Sequence, residues 1–213
     1  MTQAESALTI AYVDDLARIT RILDYWFGQL DADGMPDAAQ QKLWFNPPPG
    51  TDEAIRERFS RDVEAALSGE LPHWKNQPPG LVALIILLDQ FTRNIFRGTP
   101  AAFSGDPQAL ELARLAVHRG WHRDLPTVQR VFLCMPFEHA EDLAAQDEGI
   151  SLMDQLTAEC PASARDRVLD FRRYLVAHRD VIARFGRFPH RNAILGRAST
   201  EEESTFMKTH GGF

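Results

Sequence analysis

Apolar residues recur along this chain every three or four positions, the spacing of one face of an α-helix, and no segment alternates convincingly with the period of a strand. The first stripe is Leu16, Ile19, Leu23 and Trp26, with Asp14 as N-cap and Gly28 as the stop. A short helix from Pro36 carries Leu43, Trp44 and Phe45 and ends at Pro47-Pro48-Pro49-Gly50. Thr51 is expected to cap a third helix with the stripe Ile55, Phe59, Val63 and Leu67. Pro78-Pro79-Gly80 opens a helix over 81–96, whose run Leu81–Leu88 is apolar on every side and therefore central. Asp106-Pro107 starts the next helix, as N-cap and first residue, and Gly120 ends it. Two further helices are expected over Thr127–Met135, stopped by Pro136, and over Glu138–Leu156. A long helix after Pro161 runs to Phe185, with Gly186 past its end, and Ser199 with Glu202 forms the capping box of a terminal helix.

The pattern predicts eight or nine helices joined by short turns, an all-α fold of stacked helical hairpins. Residues 1–12 read as a flexible tail and 13–213 as one domain. Repeating helix pairs suggest a tetratricopeptide-like right-handed superhelix, although the W-x-x-L-G-x-x-Y pattern of such repeats is missing.

Composition narrows the class. Apolar content of 44% and charged content of 25% over 213 residues are those of a soluble globular protein with a substantial core. A net charge of −7 argues against a nucleic-acid binder. The start Met1-Thr2-Gln3-Ala4-Glu5 has no basic or apolar leader, and the longest apolar run is eight residues, so a cytoplasmic protein without a membrane span is expected. Cys134 and Cys160 share no metal-ligand spacing and read as reduced thiols. No metal or cofactor is expected.

Charge is not spread evenly. From Arg165 to Arg197 there are nine Arg, three Asp and neither Lys nor Glu. Four constellations could carry chemistry. Gln90, Arg93, Asn94 and Arg97 form a polar stripe at i, i+3, i+4, i+7 on the central helix, with Asp89 and Arg93 as an i,i+4 pair. Such a stripe needs partners or a wet cleft, or it is an emergent helix end. Glu138-His139 with Glu141 and Asp142 places a histidine beside carboxylates, as in a general base, although acids in a first helical turn are favoured by the dipole alone. His178 occupies an apolar position in the stripe Val168, Phe171, Leu175, His178, Ile182, Phe185, where a satisfied core histidine is the plainer reading. The loop Phe185–Arg197 offers Arg187, His190, Arg191, Asn192 and Arg197, donors suited to an anion or to pinning a loop.

The strings Leu88-Asp89-Gln90-Phe91-Thr92-Arg93-Asn94-Ile95-Phe96-Arg97-Gly98, Met135-Pro136-Phe137-Glu138-His139-Ala140-Glu141-Asp142-Leu143 and Phe185 to Arg197 resemble the signatures of domain-of-unknown-function family 924. The resemblance runs from about residue 20 to the C-terminus. It implies a bacterial, all-helical, tetratricopeptide-like protein and no established activity. This chain has Thr92, Cys134 and Ala140 where that pattern usually has Pro, Tyr and Ser.

The three segments are expected to converge on one concave site. The leading expectation is a module binding a small anion or an acidic peptide end through Gln90, Arg93, Asn94, Arg97, Arg187, His190, Arg191, Asn192 and Arg197. One rival is a hydrolase with His139 or His190 as base and Glu138 or Asp142 as orienter. The other is a protein-interaction scaffold whose polar cluster is structural.

Overall fold

The structure is a computed structural model that describes residues 3–211, with side chains described from Val13 onward. Among the described residues it is all-helical, with nine helices and no strand beyond an isolated bridge between Leu30 and Pro36. Helix α1 spans Gln3–Phe27. It begins well before Asp14, because Ala4, Glu5, Ala7 and Leu8 are good helix formers and no Gly or Pro precedes Gly28. Its buried stripe is Asp15, Ile19, Ile22 and Trp26, rotated from the expected one, and Leu16 is exposed. Asp15 is buried because it pairs with His73 and Arg18.

Helix α2 is Ala38–Phe45, capped by Asp37, and α3 is Thr51–Leu67. Thr51 is the first residue of α3, with Gly50 in the cap position, and its hydroxyl donates to the Pro48 carbonyl. Helix α4 runs through Pro78–Ile85, a π-helical stretch Ile86–Phe91, and Thr92–Ile95. It packs against α1 and α3 and against the later helices, the central place its apolar run implies. The π stretch is where the site's Asp89 lies, and such bulges recur at functional sites.

Helix α5 is Asp106–His118, with Gly105 rather than Asp106 in the cap position. A Cβ at Gly105 would lie 2.2 Å from the Leu88 carbonyl oxygen, so only glycine permits α5 to start this close to the bulge of α4. Helix α6 is Thr127–His139 and continues through Pro136 for another turn. Proline removes one donor, yet Phe132 to Phe137 are buried among neighbouring helices, which outweighs that loss. Glu138 and His139 therefore end α6 instead of beginning the next helix. Helix α7 is Leu143–Glu159, with Asp142 as its N-cap accepting from the Ala145 amide. Gly149 lets α7 approach α6, since a Cβ there would meet that of Phe137 at 2.7 Å.

Helix α8 is Arg165–Phe185, closed by Gly186 at φ 67°. Helix α9 is Glu201–His210, and its capping box is Thr200 with Glu203, one residue later than expected. Helices α5 to α8 pack each against the next. One main cluster of buried side chains runs from Ile19 to Leu175, and a small second one joins Val181, Ile182 and Phe188 to Phe185 and Phe206.

Candidate functional site

The π stretch of α4 carries Asp89, whose side chain is fully buried. Its Oδ1 is 2.7 Å from Nδ1 of His139, the last residue of α6. Gln90 Nε2 donates to the other carboxylate oxygen at 2.6 Å, and Arg93, one turn along, donates to the Asp89 carbonyl. Burial pushes the Asp89 carboxyl up, but the charges of His139 and Arg93 and the hydrogen bonds of His139 and Gln90 outweigh it and hold the group at about 2. Asp89 is therefore an anion at neutral pH, fixed against one nitrogen of His139.

A second knot adjoins the first. Arg93 Nη1 lies 3.0 Å from Asp106 Oδ1 at the start of α5, and Arg191 Nη1 lies 3.1 Å from Asp106 Oδ2. Both guanidinium groups face the Phe103 ring, at 5.8 Å and 4.5 Å, and Arg191 also lies 4.6 Å from the centre of Phe188. Burial and the Asp89 charge raise the Asp106 carboxyl, against the pull of Arg93. A third pair joins α6 to α8: His178 Nδ1 is 3.0 Å from Glu138 Oε1 and 2.8 Å from the Tyr174 carbonyl. His178 is 6% exposed, the satisfied core histidine its stripe implied. Oε2 of Glu138 is buried and has no hydrogen-bond partner among the described residues. The two histidine rings are 6.3 Å apart.

The partners of Asp89 and Asp106, together with the Glu138–His178 pair, line one cleft of about 470 Å³. Its polar lining includes Gln90, Arg93, Glu138, His139, His190 and Arg191. Its wall is aromatic, from Trp44, Phe45, Phe103, Phe132, Phe171 and Tyr174. His190 is held neutral, its ring pushed down to about 4 by burial and by the charge of Arg191. A shallower depression of about 600 Å³ shares Phe45, Phe171 and Tyr174 with the cleft, and its charged lining is Arg167, Asp170 and Arg173. No histidine is among its lining residues.

The three motif segments thus meet, as the sequence implied, but not all their residues face the cleft. Arg97 lines its edge while its guanidinium is engaged by Asp52 at 2.5 Å. Asn94 turns away and donates to Asp52. Arg187 is bound by Glu203 at 2.6 Å, and Arg197 by both oxygens of Glu141 and by the Phe188 carbonyl. Asn192 is buried between Ser199, Glu203 and Arg197. Arg187, Asn192 and Arg197 are not among the residues that line the cleft, and their hydrogen bonds hold the loop. The expected surplus of loop arginines is also corrected: each has a carboxylate from a distant segment, Glu203, Asp106 or Glu141. Asp142 is spent as a helix cap, and Glu138 holds His178 rather than His139.

Asp106, Phe103 and the role of Asp89 were missed at the sequence level. Asp106 read as a helix cap, and the i,i+4 spacing to Arg93 accounted for Asp89 without His139. The Cys134 thiol is no nucleophile, since burial pushes it up to about 12. Among the described residues no group of three or more His, Cys, Asp or Glu side chains is placed to hold a metal ion, and no helix is long and apolar enough to cross a membrane.

Fold and site together define an all-helical protein with paired carboxylate–histidine units in an aromatic-walled cleft. The chain belongs to the family described as bacterial protein of unknown function, DUF924, which matches residues 22–211. It is similar to the solved structure of a protein of unknown function from Agrobacterium tumefaciens, at 34% identity and a TM-score of 0.76 over 91% of this chain and 98% of that one. No curated protein matches the chain.

Proposed function

We propose that the cleft binds a small molecule and that His139 performs general acid–base catalysis on it. The observation that carries this reading is the His139–Asp89 pair. A fully buried carboxylate fixed to Nδ1 keeps the proton on that nitrogen and leaves Nε2 as the base. When Nε2 takes a proton from substrate or water, the imidazolium is stabilised by the adjacent Asp89 anion. Among the described residues no serine or cysteine lines the cleft, which favours direct proton transfer over a covalent intermediate. His190, kept neutral, is an alternative base.

The anion-binding reading rests on arginines that are already engaged. Arg93 and Arg191 pair with Asp106 and Arg97 with Asp52, so the three cations that line the cleft each have a carboxylate partner. The scaffold reading accounts for Arg187 and Arg197, but it leaves the lined cleft without a role.

The test is to incubate purified protein with a bacterial metabolite extract and follow metabolite levels by mass spectrometry. Wild type should deplete one compound that His139→Gln leaves untouched, with both proteins equally folded by circular dichroism. Equal depletion, or none, sinks the catalytic reading.

A further inference from the structure

We infer that the ligand of this cleft carries a protonated amine, held between the Glu138 carboxylate and the aromatic wall. The inference names the ligand class for the same site and rests on the reading that the cleft takes a small molecule. Three observations carry it. Glu138 is 4% exposed, lines the cleft, and has one oxygen on His178 and the other buried without a hydrogen-bond partner among the described residues. A buried carboxylate oxygen left unpaired is costly, and a ligand N–H removes that cost. Next, Glu138 is the acid that the arginines leave unmatched. Asp89 and Asp106 are bridged by Arg93 and Arg191, and among the described residues no Arg or Lys forms an ion pair with Glu138. The donors nearby without a hydrogen bond among the described residues, Arg93 Nη2 and Arg191 Nε, sit in a knot with Asp106, whose Oδ1 has Arg93 Nη1 at 3.0 Å, so a small shift satisfies them internally. The last is the wall. Phe171, Tyr174 and His178 share one face of α8, so the Glu138–His178 pair stands one turn from Tyr174 and two turns from Phe171, with Phe132 6.4 Å from Phe171. Aromatic faces beside a carboxylate are the arrangement that recognises an ammonium group, through the ring quadrupole. An anionic ligand would meet arginines already paired with carboxylates instead.

The experiment is a thermal-shift and calorimetric titration of the full chain with three matched probes: phenethylammonium, phenethyl alcohol and hydrocinnamate. Phenethylammonium should raise the melting temperature and bind at least about tenfold more tightly than either isostere, a difference of roughly 1.4 kcal/mol. Glu138→Gln should remove that preference. Because this variant also alters the His178 contact, Tyr174→Ala serves as a second one: Tyr174 is 53% exposed, so the fold tolerates its loss, and ammonium affinity should fall several-fold. Tighter binding of hydrocinnamate, absence of any ammonium shift, or unchanged ammonium binding in both variants overturns the inference. If the extract experiment yields a depleted compound without an amine, the amine assignment falls while the acid–base reading stands.

Discussion

Asp89 and His139 are 50 residues apart in the chain and 2.7 Å apart in space, joined across the junction of α4 and α6. The contact depends on two backbone irregularities. The π stretch sets the direction of Asp89, and the continuation of α6 through Pro136 delivers His139 at its last residue. Asp89 sits in the folded protein at about 2, below its ordinary 3.8. A depressed carboxyl stabilises the fold fully above its unfolded value and loses that contribution as pH falls through the folded one. The stability of wild type should therefore drop by about 2 kcal/mol more than that of Asp89→Asn between roughly pH 4 and pH 2. Urea midpoints across that range measure it, and parallel curves would show that Asp89 is not held as an anion.

His190 gives a second pH window. Its folded value is about 4 against 6.5 for a free imidazole. The unfolded chain takes up the proton first, so stability is complete above about pH 6.5 and declines as pH falls toward 4. His190→Gln should flatten this decline by about 2 kcal/mol, with partial solvent access already allowed for. The same urea series, carried from neutral to mildly acidic pH, reads it out.

Arg191 is a structural group that also borders the cleft. Replacing it with Ala leaves Asp106 with Arg93 alone and removes the cation that faces Phe103 and Phe188. Arg191→Ala should destabilise by about 2–4 kcal/mol, and Arg191→Lys should recover less than half, since a compact ammonium cannot pair and stack together. Inorganic phosphate should leave the melting temperature of wild type unchanged. A phosphate-dependent rise that Arg191→Ala abolishes would restore an anion site.

Gly105 is the tightest steric point. Gly105→Ala places a methyl 2.2 Å from the Leu88 carbonyl oxygen, against backbone that cannot move freely. We expect a loss of roughly 1–3 kcal/mol by denaturant titration, and α5 should shift with it. Since Asp106 is the next residue, ligand affinity should fall together with stability.

Arg187 holds the C-terminal helix. It pairs with Glu203, which is 2% exposed, and its hydrogen bonds hold that carboxyl at about 2. Arg187→Met should raise amide exchange in α9 while leaving amine binding in the cleft intact. Loss of binding without loss of α9 protection would return Arg187 to the ligand-facing set.

The chain's own pattern determined the all-α class, the central place of the Leu81–Leu88 helix, the buried position of His178 and the convergence of three polar segments. Each rests on local rules: apolar spacing picks the helix face, Gly and Pro mark the ends, and polar residues on a buried face must find partners. Boundaries drifted by a residue or more wherever two residues compete for one role, as Thr200 with Ser199 or Gly105 with Asp106, because local hydrogen bonding scarcely separates them. The pairing of charges was beyond local reading. Arg187, Arg191 and Arg197 looked like a surplus because their acids, Glu203, Asp106 and Glu141, come from other segments. Glu138 and His139 looked like partners because they are neighbours, yet adjacent helical residues point apart, so each found a mate on another helix, His178 and Asp89. Tertiary packing alone decides which buried charges meet, since an ion in a low-dielectric interior is stabilised by whichever opposite charge the fold brings within reach.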